Sequence, residues 1–299
     1  MSEWLPRASA ILNAVANPTV EDRCRQLREV LDGTTQAALI YVRAPIWEPR
    51  AGSEADAELH NTETGTTEPW GERPVRTAYA LANAGITAVL DQLTALRILT
   101  QPVAPALATT VVARSAIEIG SGVWWLMEPG LGARRRVARC GAEEMESALR
   151  AGQVATKLGD GPDLQEYAGQ EARVRARLGA LGLSITGGGF TPSVGGEKRP
   201  DATTLTTDCL GQLLDGGSIV YNVYSAITHG ALYGLMQHFV EDPTDSTKLT
   251  WSSPMSITEA SVQAALAVCL VSIDRIIEVM GWDPTAWNDW KPEICSAFP

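Results

Sequence analysis

Arg114 and Glu118 stand four residues apart in an otherwise apolar stretch, and Tyr221, Ser225 and His229 repeat that spacing later in the chain. On a helix such residues share a face, so each set forms one polar stripe. Neither a guanidinium nor a carboxylate belongs on an apolar helix without a partner. His229 is the side chain of this group that exchanges protons near neutral pH. The pattern points to metal-independent acid/base chemistry on a small organic molecule in a central apolar pocket between the two helices: a cyclisation, isomerisation or elimination. In that reading the catalytic residues are His229 as the proton-transfer group, Glu118 as its partner or second acid/base, and Tyr221 and Ser225 on the same stripe. Arg114 anchors an anion or carbonyl, Trp124 and Trp125 form apolar walls, and Asn222, Tyr224 and Arg135 complete the substrate-binding set. The plainer reading makes Arg114 and Glu118 a buried ion pair joining two helices, and His229 a satisfied core histidine.

A third cluster, Arg134, Arg135, Arg136 and Arg139, follows the break at Glu128-Pro129-Gly130. It reads either as a clamp for a phosphate or carboxylate, or as a solvated helix face paired with Glu143, Glu144 and Glu146. The run Glu197-Lys198-Arg199-Pro200 reads as loop charge ahead of a helix start. The sequence holds no phosphate-binding loop, no dinucleotide fingerprint, no HExxH and no GxSxG. Three histidines and scattered cysteines give no closed zinc site, and His229 and His238, read on one helix nine residues apart, point to opposite sides. No cofactor and no metal are therefore expected.

The elements that must carry these residues are helical throughout. Periodicity predicts a helix over 20–31 that Asp32-Gly33 stops, then a short turn or lone strand over 35–42. Residues 43–75 are rich in Pro, Gly, Glu and Thr and read as an extended loop or flexible arm. Helices follow over about 75–100, 106–127, 131–158 and 163–181, the second apolar nearly all round and hence central. After a loop over 182–200, Asp201 or Thr203 caps a helix to about Leu214, and a long helix runs from Ser218 to about Val240 with Gly230 in its middle. EDPTDS is a turn. A final helix opens at Ser253-Pro254 or at the Ser256/Glu259 capping box and ends near Gly281. The tail beyond it carries three Trp that must pack on something. The expected fold is all-α, a single helical bundle with long central apolar helices and a loop-rich N-terminal region. Its organisation is 1–74 as an N-terminal helix plus arm, and 75–299 as the bundle domain with its Trp-rich tail.

Composition narrows the setting. The 299 residues are 45% hydrophobic and 20% charged, which excludes fibrous and wholly disordered classes. A formal net charge of −11 argues against a nucleic-acid partner. Five dispersed cysteines without a CxxC read as free thiols in a reducing cytoplasm, and the opening MSEWLPRASAILNAV lacks a basic region ahead of an apolar core. The most apolar run, 264–273, is about half of the ~20 residues a membrane span needs.

Taken in order, Arg114-x-x-x-Glu118, Trp124-Trp125, Glu128-Pro129, the arginine cluster, Lys198-Arg199-Pro200 and Tyr221-x-x-x-Ser225-x-x-x-His229-Gly230 resemble a set of uncharacterised helical proteins of high-GC bacteria, distantly similar to HEPN-type bundles. The resemblance spans roughly residues 75 to 280. It implies an RNA-cleaving or toxin-type protein, usually a homodimer, acting through His229 with Arg134 to Arg139 on phosphate. The HEPN pattern places an Arg a few residues before the His, where this chain has Asn222 or Tyr224. A third expectation is a non-enzymatic interaction protein whose buried polar residues set helix register.

Overall fold

The computed structural model describes residues 19–43, 47–60, 72–102, 105, 107–158, 162–214, 217–242, 245–251 and 253–295. Within them the fold is an all-α helical bundle. Its first helix, α1 (Val20–Val42), opens on Thr19, whose hydroxyl accepts the Asp22 N–H, and carries acids in its first turn. It runs straight through Gly33, which the sequence pattern reads as a stop. Glycine is needed there for space, because a Cβ would overlap the Trp290 ring. The tail tryptophan, and not a helix end, is what that glycine accommodates.

The segment expected as an arm contains α2 (Glu54–Leu59), capped by Ser53 and buried at Ala55, Glu58 and Leu59. Residues 44–46 and 61–71 of that stretch lie outside the described residues. Three long helices then make the centre: α3 (Glu72–Leu99), α4 (Ala108–Leu126) and, from the far end of the chain, α10 (Met255–Met280). Ile86, Val89 and Leu93 of α3 meet Ala113 and Ala116 of α4 and Val262, Leu266 and Ile273 of α10 in one core. α4 and α10 approach closely where the Ser272 hydroxyl donates to the Gly120 carbonyl, 2.9 Å away. Leu27, Leu31 and Ala38 of α1 belong to the same core, so the N-terminal helix is integral to the bundle and not peripheral.

α5 (Ala133–Leu158) and α6 (Pro162–Ala180) form an outer pair. The region read as a loop over 182–200 holds a small antiparallel sheet, β1 (Ile185–Thr186), β2 (Ser193–Val194) and β3 (Glu197–Lys198), with Val194 fully buried under it. α7 (Ala202–Leu210) is capped by Asp201, which accepts the Thr204 N–H at 2.9 Å.

The expected long helix over 218–240 is instead three elements. α8 (Gly217–Thr228) ends on Gly230, whose φ of 68° only glycine adopts readily. The Gly230 and Ala231 N–H groups close back on the Ile227 and Ala226 carbonyls, a paired C-terminal cap. α9 (Leu232–Met236) follows, then the hairpin of β4 (Phe239–Asp242) and β5 (Asp245–Trp251). His229 and His238 therefore sit on different elements. The final helix starts at Met255 on Pro254, not at a Ser256 box; Glu259 is paired with Arg23 of α1 instead.

α10 is long and apolar enough to cross a membrane by length and composition, with 78% of its most apolar window buried inside the fold. It continues past Asp274 and Arg275, where the apolar run ends, because both charges find partners. Trp287 and Lys291 hold Asp274 at 2.8 and 2.6 Å, and the Trp124 ring and carbonyl hold Arg275. α11 (Thr285–Cys295) folds back along α10 and packs on α1, burying Trp287 completely.

Candidate functional site

Arg114 and Glu118 occupy one face of α4, and α8 lays Tyr221 across them. The Arg114 Nε donates to Glu118 Oε1 at 2.7 Å, and the Tyr221 hydroxyl donates to the same oxygen at 2.9 Å. The guanidinium lies 5.7 Å from the Tyr221 ring centre. Glu118 Oε1 is thus fixed by two donors, while Oε2 has no partner among the described residues and the side chain is 35% exposed. The three groups stand at the rim of the α4–α8 seam and not at the centre of the bundle, where the sequence suggested a pocket. Burial, reinforced by the bond to Glu118, raises the Tyr221 hydroxyl above its ordinary proton affinity and keeps it an O–H donor. Burial would lower the affinity of Arg114, but Glu118 outweighs it and the guanidinium is held charged.

The remaining candidates distribute around this trio. Ser225 is half-buried one turn beyond Tyr221, and its carbonyl accepts the His229 N–H at 3.0 Å. His229 is exposed at the end of α8, eight residues or about 12 Å along the axis from Tyr221. Its ring has no hydrogen-bond partner among the described residues. Asn222 is exposed, and its carbonyl accepts the Tyr233 hydroxyl at 3.4 Å. Tyr224 is buried, in one apolar cluster with Ala264 and Val268 of α10, and burial pushes its hydroxyl well above the ordinary value. The two tryptophans are covered by cations: Arg275 stacks 3.7 Å from the Trp124 ring centre and Arg139 4.7 Å from that of Trp125.

The arginine cluster is solvated only at Arg134 and Arg135; Arg136 and Arg139 are buried. Arg136 is fully buried, bonded to both oxygens of Glu58 at 2.8–3.0 Å, to Glu54 at 2.8 Å, and to the Leu126 carbonyl at 2.7 Å. Tyr79 adds a 2.5 Å bond to Glu58. Arg135 and Arg139 share Glu197 of β3 at 2.6 and 2.9 Å, and Arg139 also meets Glu128. Burial would push the Glu197 carboxyl up, but these two guanidiniums hold it below the ordinary carboxylate range. Glu143, Glu144 and Glu146 pair with Arg199, Arg177 and Arg150 instead. Helix α5 turns Arg136 and Arg139 inward, so partners come from α2 and β3, which local sequence spacing does not reveal. Glu54 and Glu58 are the ionic residues that sequence reasoning missed, and Glu197 is a buried-side partner where it reads as loop charge.

Among the described residues no three His, Cys, Asp or Glu side chains gather as a metal site. No family model, no curated protein and no solved structure matches this chain. What the fold and this cluster define is an all-α bundle with a three-residue polar constellation at the seam of two helices.

Proposed function

We propose that the chain is a small-molecule enzyme that performs metal-independent proton transfer at the α4–α8 seam. The observation that carries this reading is the asymmetry of Glu118: one carboxylate oxygen is locked by Arg114 and Tyr221, and the other is open toward solvent. A locked, half-exposed carboxylate is oriented to take a proton through its free oxygen. The Tyr221 hydroxyl, kept protonated, spends its one O–H on holding that carboxylate and offers its oxygen as an acceptor beside it, and Arg114 sets the geometry of both. His229 then serves at the outer end of the same seam as an exchangeable proton carrier. A reducing, cytoplasmic setting accompanies the proposal, supported by four buried free thiols.

The test is proton exchange in D2O. The protein is incubated with a panel of small carbonyl and carboxyl compounds and followed by NMR. A bound compound is expected to lose C–H signal to deuterium with the native protein, and at least about a hundredfold more slowly with Glu118→Gln. No exchange across the panel, or exchange indifferent to Glu118→Gln in a folded variant, overturns the proposal.

A second reading, an interaction protein, is favoured by one observation. Leu232, Tyr233 and Met236 of α9 are exposed, as are Leu249 and Trp251 of the hairpin. The HEPN-like reading draws less support, because Arg136 and Arg139 are already spent on internal carboxylates.

A further inference from the structure

The end of α10 and the start of α11 enclose a cleft that the proposed chemistry does not use. Gly281 takes the left-handed conformation, φ 66°, and closes α10 with the Trp282 N–H returning to the Ile277 carbonyl. The chain reverses through Pro284, and α11 runs back beside α10. Between them lies an open cleft of about 510 Å³, within the size range of small-molecule sites.

Its lining divides into an apolar wall and a charged floor. Ile277, Trp282 and Pro284 form the wall. Trp282 is held rigid: its ring stacks on Tyr41 with centres 6.0 Å apart, meets the edge of Trp47 at 5.6 Å, and its indole N–H donates to the Glu48 carbonyl at 2.9 Å. On the floor, Asp274 is charge-paired with Lys291, which shares its Oδ1 with the Trp287 indole N–H at 2.6 and 2.8 Å. Glu278, one turn further along the same face of α10, is exposed, and its carboxylate makes no hydrogen bond or ion pair among the described residues. The nearest cation along its own helix, Arg275, is held on the Trp124 ring and carbonyl and reaches Glu278 only through space, without an ion pair. The lining itself carries two carboxylates and one ammonium, a net negative charge of one, in a chain whose formal net charge is −11. A hard divalent ion needs about six oxygen ligands, and one free carboxylate does not provide them. An organic cation needs less: one counter-ion, an aromatic face and an apolar wall.

We propose that this cleft binds an organic ammonium ion, with Glu278 as its counter-ion, Trp282 as its aromatic wall and Ile277 against its alkyl part. Asn288, exposed on the α11 side, offers its amide to a polar group carried on the same molecule.

The full chain is titrated with choline chloride, and with the neutral tert-butyl isostere of choline, while the Trp282 indole N–H is followed by NMR. Choline is expected to shift that resonance saturably and the isostere to leave it unmoved. Glu278→Gln, at an exposed position, is expected to keep the fold and weaken choline binding about tenfold. Equal binding of the isostere, unchanged affinity in Glu278→Gln, or no shift at Trp282 overturns the proposal. None of these outcomes touches Glu118, so this test and the deuterium-exchange test fail independently.

Discussion

Arg136 shows how one side chain organises the interior. It lies in the first turn of α5, where the helix dipole disfavours a cation. Two opposing effects outweigh that cost: the carboxylates of Glu54 and Glu58, and the open carbonyls of Leu126 and Glu128 at the end of α4. The guanidinium thereby ties α2, α4 and α5 together at one point. Removing one member of a buried pair leaves the other charge without compensation, so Arg136→Ala is expected to cost about 3–5 kcal/mol. Replacing both charges, as Arg136→Met with Glu58→Leu, is expected to recover much of that loss. Urea unfolding of the native protein and both variants checks it; a double variant no more stable than the single one would contradict the ion-pair account.

At the scale of elements, α11 docks on α1 through a contact that depends on a missing side chain. Trp290 lies over Gly33, and its indole N–H donates to the Thr34 hydroxyl at 3.1 Å. Alanine at position 33 improves helix propensity by about 1 kcal/mol. It also drives a methyl group into the indole ring, and overpacking of that kind costs about 1–3 kcal/mol. Gly33→Ala is therefore expected to lower the melting temperature and to shift tryptophan emission as Trp290 moves. A variant more stable than the native protein would mean that propensity outweighs the contact. The same close approach explains why a glycine that reads as a helix stop in the sequence lies inside a helix of 23 residues.

For the molecule as a whole, the N-terminal segment and the bundle share one core. Leu27 and Leu31 are fully buried with the α3 and α10 side chains, and Glu58 is fully buried against Arg136. The full chain is expected to melt in a single cooperative transition by circular dichroism. A chain lacking residues 1–60 is expected to lose that transition, since it exposes one side of the core and leaves Arg136 unpaired. Two separate transitions in the full chain, or a cooperative melt of the shortened one, would show instead that 61–299 folds alone.

The all-α class and most of the long helices are written in local periodicity, because an apolar stripe at 3.6-residue spacing needs no knowledge of its partner. For the same reason Arg114 and Glu118 are legible as a pair on one face, and Tyr221 as the head of another stripe. That the two stripes meet on one carboxylate oxygen is a tertiary fact, as is the exposure that leaves Glu118 half open. The end of α8 at Thr228 depends on a left-handed glycine that periodicity reads as a mid-helix residue. Glu58 and Glu197 lie in segments whose sequence shows no helical patterning, and their partners are 78 and 58 residues away. Local spacing carries no trace of such pairings; only the packing of α2 and β3 against α5 brings the charges together, and burial then makes either one costly to lose without its partner.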